Sequence, residues 1–393
     1  MVTVAKAPDR AAAVAVIQQK FGVVVDARSP TEVLADVRRR DPDAVPVITP
    51  ANYLFVGQPD GRVTSAVAID GQEVVPMAGP SQRTTILCNE LGQWVQYRAD
   101  RHGFNNPDAV WASMPVALAI LGDSYAHGYC VPPEKSFAGR LRHVYPGTLN
   151  LGVAGHGPLL MLATLTEYLP RLQPPIVLWC YFEGNDLENL QVERNSALLN
   201  RYLQDGFSQP ALTRQSELDH VILAWESSRR ARAKARPRSA WHAAFNTVIT
   251  VTKLTAVRGR AGLITPTEPF EIERVADFET ANMRVFREVL RNAADRVQRW
   301  NGQLAFVYLP TWERYSGQSH TTGEAKREEV LAIARDLGIP IIDVETAFRA
   351  TGDPLSQFPF RAPGHYTENG HRLVEETIVR DLQSRLSPIQ GGR

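Results

Sequence analysis

Five short apolar runs limit what this chain can fold into. They are "VALAILG" (116–122), "TLNLGVAG" (148–155), "PIVLWCYFEGND" (175–186), "QLAFVYLP" (303–310) and "IPIIDV" (339–344). Each has the length of a buried strand, and several are apolar without alternation, as strands covered on both faces are. Segments with apolar residues at three-to-four spacing separate them: "SFAGRLRHVY", "LLMLATLTEYLPRL", "ETANMRVFREVLRNAADRVQRW", "EAKREEVLAIARDLG" and "TENGHRLVEETIVRDLQSRL". Ser136 is placed to cap the first of these helices and Gly338 to end the fourth. Strands alternating with amphipathic helices predict an α/β fold with a parallel sheet between two helical layers.

Two regions break the alternation. Residues 1–112 form an N-terminal β-rich accessory region. They hold one helix, "SPTEVLADVRRRD", capped by Ser29 or Thr31, and short β-like pieces with hairpin signals at Asp60-Gly61 and Asp70-Gly71. Residues 190–277 form a mostly helical insertion. It splits the α/β unit into a first part, 113–189, and a second part, 278–393.

The chain has 393 residues and a formal net charge of +1, which does not mark it as a nucleic-acid binder. From Arg229 to Arg260 there are nine Lys or Arg and no acidic residue. A solvated helix face explains that run most simply. Contact of 229–260 with a polyanion or an anionic membrane surface is the alternative. No run reaches the length of a membrane span, and "MVTVAKAPDRAAAVAVIQQKFG" lacks the cleavage site of a signal peptide. As written, the chain reads as soluble. Cys180 sits within an apolar run and is expected to be a buried thiol. Cys88 and Cys130 lie just outside such runs. Two unpaired thiols is the simpler expectation, and a disulfide between them the alternative.

In open α/β sheets, ligands bind beyond the carboxyl ends of the strands. Here the strand ends carry chemistry. The first ends on Gly122-Asp123-Ser124, the second on "NLGVAGHGP", and the third on Gly184-Asn185-Asp186. His365, in "APGHYTENGH", stands just before the last helix. A hydroxyl, a glycine turn, an amide and an imidazole together suit acyl transfer: a nucleophile, N–H donors for an oxyanion, and a base.

These stretches resemble the four blocks of the SGNH hydrolases, also called the GDSL esterase/lipase superfamily. "GDSY", "NLGVAGHG", "GND" and "HYTENGH" fall in order over about 113–189 and 278–388. The resemblance implies a three-layer α/β/α, flavodoxin-like fold. It makes Ser124 the nucleophile and His365 the base, with Ser124, Gly155 and Asn185 forming the oxyanion hole. It calls for no cofactor and no metal. His371 competes with His365 but reads as a packing residue, His127 and His156 as structural or rim residues, and Asp123 as a turn stabiliser. The linker "YRADRHGFNNPD" resembles that of envelope-associated members near bacterial polysaccharide pathways. That points to a periplasmic or cell-envelope location, with the cytoplasm second.

One position departs from the pattern. The family keeps an Asp three residues before the base, and here that residue is Ala362. A backbone carbonyl or a serine–histidine dyad is the first expectation. A carboxylate from elsewhere (Asp353, Asp343 or Glu368) is the second, and a non-catalytic relative the third. The functional expectation is an esterase releasing a small acyl group, acetyl by family analogy, from a carbohydrate or other small ester. An O-acyltransferase acting on a glycan hydroxyl and a weakly catalytic glycan-binding protein are the alternatives.

Overall fold

The computed structural model describes residues 18–50, 56–112, 115–235, 269–317 and 326–386. Near the N-terminus, β1 (Val45–Pro46), β2 (Thr84–Cys88) and β3 (Val95–Arg98) make a small sheet, with β2 in the middle. The central sheet contains β4 (Leu118–Leu121), β5 (Thr148–Asn150), β6 (Ile176–Phe182), β7 (Gln303–Leu309) and β8 (Ile341–Asp343). Its order is β8-β7-β6-β4-β5, and every pair is parallel. Counted within the sheet, this is the flavodoxin-like order 2-1-3-4-5, whose switch point lies between β4 and β6.

Alternate residues of each strand enter different layers, as period-two geometry requires. Ala119, Leu121, Val177, Trp179, Phe306 and Tyr308 pack toward the helices Pro158–Tyr168, Pro269–Gln298 and Arg327–Asp336. Leu118, Ile120, Leu178, Cys180, Ala305 and Val307 pack toward Phe137–Val144 and Glu368–Leu386. The result is the expected α/β/α sandwich. The local signals also hold. Ser136 Oγ accepts from Gly139 N, and Gly338 ends its helix at φ 67°. Ser29 forms a reciprocal capping box with Glu32. Asp70 and Gly71, both at positive φ, turn the ribbon Ala68–Ile69/Gln72–Glu73.

The flanking regions do not stand apart from this core. Val45, Ile48, Val67, Ile69, Val75 and Met77 join the same apolar cluster as the first helical layer, as do Leu198, Leu199, Tyr202, Leu218 and Ile222. Within 190–277, the described helices include Ala197–Asn200 and Gln215–Ala235. Of the basic stretch, Arg229 and Arg230 both pair with buried Glu226, while 236–260 lies outside the described residues. No helix among the described residues is long and apolar enough to cross a membrane. Cys180 is a buried thiol, as expected. The simpler expectation for the other two cysteines is overturned: Cys88 and Cys130 form a disulfide. The sheet places the end of β2 beside the loop that follows Ser124, a proximity that spacing along the chain does not reveal.

The linker before the first block is built on a buried carboxylate. Asp100 accepts hydrogen bonds from His102 N (2.8 Å), Phe104 N (3.0 Å), Asn106 Nδ2 (2.7 Å) and Trp111 Nε1 (2.7 Å). Asn106 in turn exchanges bonds with both backbone groups of Asn150 at the end of β5. Burial pushes the Asp100 carboxyl up to about 6, against the pull of its donors. Asp100→Asn turns one acceptor oxygen into a donor facing other donors. It is expected to lower the unfolding free energy by about 2–4 kcal/mol in a urea titration. A loss below about 1 kcal/mol would contradict this role.

Candidate active site

Ser124 is the first residue of a one-turn helix, Ser124–His127, at the carboxyl end of β4. Asp123 caps that turn, its Oδ1 accepting from Tyr125 N at 2.9 Å. This is the stabilising role expected of it. The turn sits very close to the sheet. A Cβ on Gly122 would lie 2.6 Å from Ala126 Cβ and 3.0 Å from Cys180 Cβ. Glycine is therefore needed there for close approach.

His365 Nε2 lies 2.9 Å from Ser124 Oγ, across 241 residues of sequence. Its ring is flanked by Tyr125 and Tyr129, with centroids 4.9 and 4.8 Å away. The loop that carries it is tied down at several points. Tyr125 Oη donates to Gly364 O (3.1 Å), Tyr366 Oη to Pro310 O (2.6 Å) and Trp312 Nε1 to Arg361 O (3.0 Å).

The imidazole has a carboxylate partner, and it is none of those expected. His365 Nδ1 is 2.8 Å from Glu90 Oε1, and His365 backbone N donates to Glu90 Oε2 at 2.8 Å. A carboxylate facing Nδ1 fixes the tautomer with Nδ1–H donating, which leaves the Nε2 lone pair for the Ser124 hydroxyl. This corrects the expectation of a carbonyl or a bare dyad. It also removes the three carboxylates considered earlier. Asp353 pairs with Arg361 at the surface. Asp343 caps the helix Val344–Ala350 and pairs with Arg327. Glu368 is exposed at the start of the last helix. Glu90 lies in the turn after β2, in the N-terminal region. Gly364 leaves space beneath it, since a Cβ there would come within 3.1 Å of Glu90 Oε2.

Nearby carboxylates have other tasks. Asp123 Oδ2 is a longer alternative acceptor for Ser124 Oγ, at 3.3 Å. Burial raises the Asp123 carboxyl to about 6, while the Tyr125 N–H acts to lower it. Glu183 is held by Arg314 and by Thr311 N. Glu193 accepts from Gly157 N (2.6 Å) and Leu159 N (2.9 Å), pinning the helix that follows the second block. Burial pushes it up to about 8.

Of the residues expected to form an oxyanion hole, Gly155 has φ 86°, a conformation that favours glycine. Asn185 stands at the cap position of the helix Asp186–Glu193, but its side chain makes no capping bond. Among the described residues, neither the Gly155 N–H nor the Asn185 amide nitrogen donates to a protein acceptor. His127 steadies the second-block loop. Its Nδ1 accepts from Ala154 N, and its Nε2–H faces Tyr97 Oη, both at 3.2 Å. Burial depresses it to about 3, so the ring is neutral. His156 is fully buried and likewise depressed to about 3. His371 is buried against Phe137, with Phe137 N donating to its Nδ1.

Glu90, Cys130 and His365 place potential ligand atoms within 4.8 Å of one another. The Cys130 sulfur is committed to Cys88, so the donor set lacks the thiolate that would make it a metal site. Two clefts are lined by neither Ser124 nor His365. One, of about 720 Å³, lies between Ala66–Asp70 and Trp225. The other, of about 460 Å³, lies behind β2 near Trp94.

No protein-family model matches the chain, and no curated protein does. Among solved structures, it is similar to a member of the lipolytic protein G-D-S-L family from Veillonella parvula DSM 2008. The identity is 12%, the TM-score 0.35, and the match covers 67% of this chain and 96% of the other. It is also similar to the lipase/acylhydrolase from Enterococcus faecalis, with 12% identity, TM-score 0.37 and coverage of 68% and 96%. A third is a two-domain esterase active on acetylated mannans, with 13% identity, TM-score 0.36 and coverage of 70% and 51%. In its motif blocks and in its 2-1-3-4-5 parallel sheet, the chain resembles the SGNH hydrolases.

Proposed function

We propose that the chain is a serine esterase of the SGNH type. In this reading it removes a small acyl group, acetyl in the first instance, from a carbohydrate ester through an acyl-Ser124 intermediate. The observation that carries the reading is the hydrogen-bonded line from Ser124 Oγ through His365 to Glu90, at the sheet's switch point. His365 Nε2 takes the Ser124 proton as Oγ attacks the acyl carbonyl. Glu90 holds the ring in the required tautomer and stabilises the imidazolium that forms. The oxyanion is held by the N–H groups of Ser124 and Gly155 and by the Asn185 amide. Among the described residues, no protein acceptor engages the last two donors. The proton on His365 then passes to the leaving sugar oxygen. A water deprotonated by the same ring releases the acid and restores Ser124.

The acetyl group and the carbohydrate rest on resemblance to the family. The Cys88–Cys130 disulfide supports an oxidising compartment such as the periplasm or cell envelope.

Four variants test the assignment. Ser124→Ala is expected to lower kcat for acetate release from an acetylated glycan or from p-nitrophenyl acetate by at least about 10³-fold. Glu90→Gln is expected to lower kcat by about 10²–10⁴-fold, with KM within about threefold of wild type. Asp353→Asn and Glu368→Gln should leave both constants within about twofold. Acetate released only when a sugar acceptor is present would identify the O-acyltransferase instead. Absence of both turnover and fluorophosphonate labelling at Ser124 would leave the glycan-binding reading.

A further inference from the structure

The turn bearing Glu90 is clamped at two sites. On its outer side, Asn89 Nδ2 donates to Asp26 O (2.8 Å), Asp26 N to Gly92 O (2.7 Å), and Trp94 Nε1 to Arg28 O (3.1 Å). All of these partners belong to the N-terminal region. On its inner side, Cys88 is bonded to Cys130, in the loop that leaves the nucleophile's helix. That loop is itself fixed to the nucleophile: Tyr129 N donates to Ser124 O at 3.0 Å, and the Tyr129 ring packs on His365. Cys130 also holds a left-handed backbone conformation, φ 65°, which a non-glycine residue adopts only where its surroundings hold it.

We infer that the Cys88–Cys130 disulfide is the positioning element for Glu90. It joins the orienting carboxylate covalently to the nucleophile's own loop, so that the serine–histidine–glutamate line is complete only in the oxidised protein. This rests on the function proposed above and deepens it. His365 receives its carboxylate from a separate part of the chain, across 275 residues of sequence. In the SGNH pattern that the sequence resembles, the carboxylate stands three residues before the base, on the base's own loop. Here the loop offers Ala362, and the covalent link restores the fixed distance that adjacency would have given. The reductive step needs a dithiol. Two electrons from the dithiol break the Cys88–Cys130 S–S bond, two protons complete the two thiols, and the dithiol closes to its own disulfide. The β2 turn then keeps its N-terminal contacts but loses its covalent tie to the Tyr129 loop. Glu90 no longer shares one rigid frame with Ser124.

The test uses the full chain and two readouts. The first is the rate at which a fluorophosphonate probe modifies Ser124, which requires no knowledge of the ester. Dithiothreitol that converts Cys88 and Cys130 to thiols, verified by mass, is expected to slow labelling by about tenfold or more, and reoxidation to restore it. The Cys88→Ser/Cys130→Ser double variant is expected to match the reduced protein. In Glu90→Gln, reduction is expected to change the rate by less than about twofold, because the carboxylate it would release is already gone. The second readout is amide hydrogen exchange over 359–366, which follows the His365 N–H bonded to Glu90 without using Ser124 chemistry. It is expected to quicken on reduction while exchange in β6 stays unchanged. Reduced wild type that labels within twofold of the oxidised protein would overturn the inference. So would a Glu90→Gln variant that slows on reduction as much as wild type does. A protein never labelled in either state would contradict the proposed function. Exchange at His365 would still decide the disulfide's role: unchanged protection would overturn it and faster exchange support it.

Discussion

The two-point grip of Glu90 on His365 is the contact on which the rest of the site depends. One carboxylate oxygen meets the ring Nδ1–H and the other meets the residue's own backbone N–H. The ring is thereby fixed in tautomer and in orientation. With both groups only partly exposed, 20% for His365 and 32% for Glu90, water screens the pair less than it would at an open surface. In the proposed reading, the ring Nε2 held 2.9 Å from Ser124 Oγ is the base that would make an otherwise weak hydroxyl nucleophilic.

That contact gives the N-terminal region a role beyond packing. Its apolar residues share a cluster with the first helical layer, its Tyr97 meets His127 beneath the second-block loop, and its Asp100 network ends on Asn150. The last two of these ties reach the carboxyl ends of β4 and β5. The residues between β2 and β4 thus organise the carboxyl edge of the sheet from outside it. Substitutions far from Ser124 in sequence are therefore expected to act on the chemistry through geometry.

Much of this was legible in the sequence. Five apolar runs and their intervening helices specify a parallel sheet, because strands buried on both faces and helices with one apolar stripe have few other ways to cover each other. Ser124 and His365 stand where such a sheet displays side chains, and the structure brings them to 2.9 Å. Ser29, Ser136 and Gly338 mark helix ends by local chemistry alone. Glu90 was not legible. It sits in an aperiodic turn, and an acidic residue in a turn ordinarily faces water. Ala362 warned that something was missing without saying what replaced it. The signal that would have found Glu90 was Cys88, two residues before it, read together with Cys130 just after the helix Ser124–His127. Had the pair been taken as bonded, Glu90 would have been placed beside the site. Tertiary proximity of that kind leaves no periodic trace. The same holds for His127, whose partners Tyr97 and Ala154 come from two different regions.

The central claim is that Glu90 accepts the hydrogen bond of the His365 ring Nδ1–H, and proton NMR of the oxidised protein tests it most directly. A ring N–H held between an imidazole and a carboxylate is strongly deshielded and exchanges slowly enough to be seen far downfield. The account predicts one such resonance in wild type, retained in Asp353→Asn and Glu368→Gln and lost in Glu90→Gln. A downfield ring proton that survives Glu90→Gln would show that another acceptor orients His365, and would contradict the account.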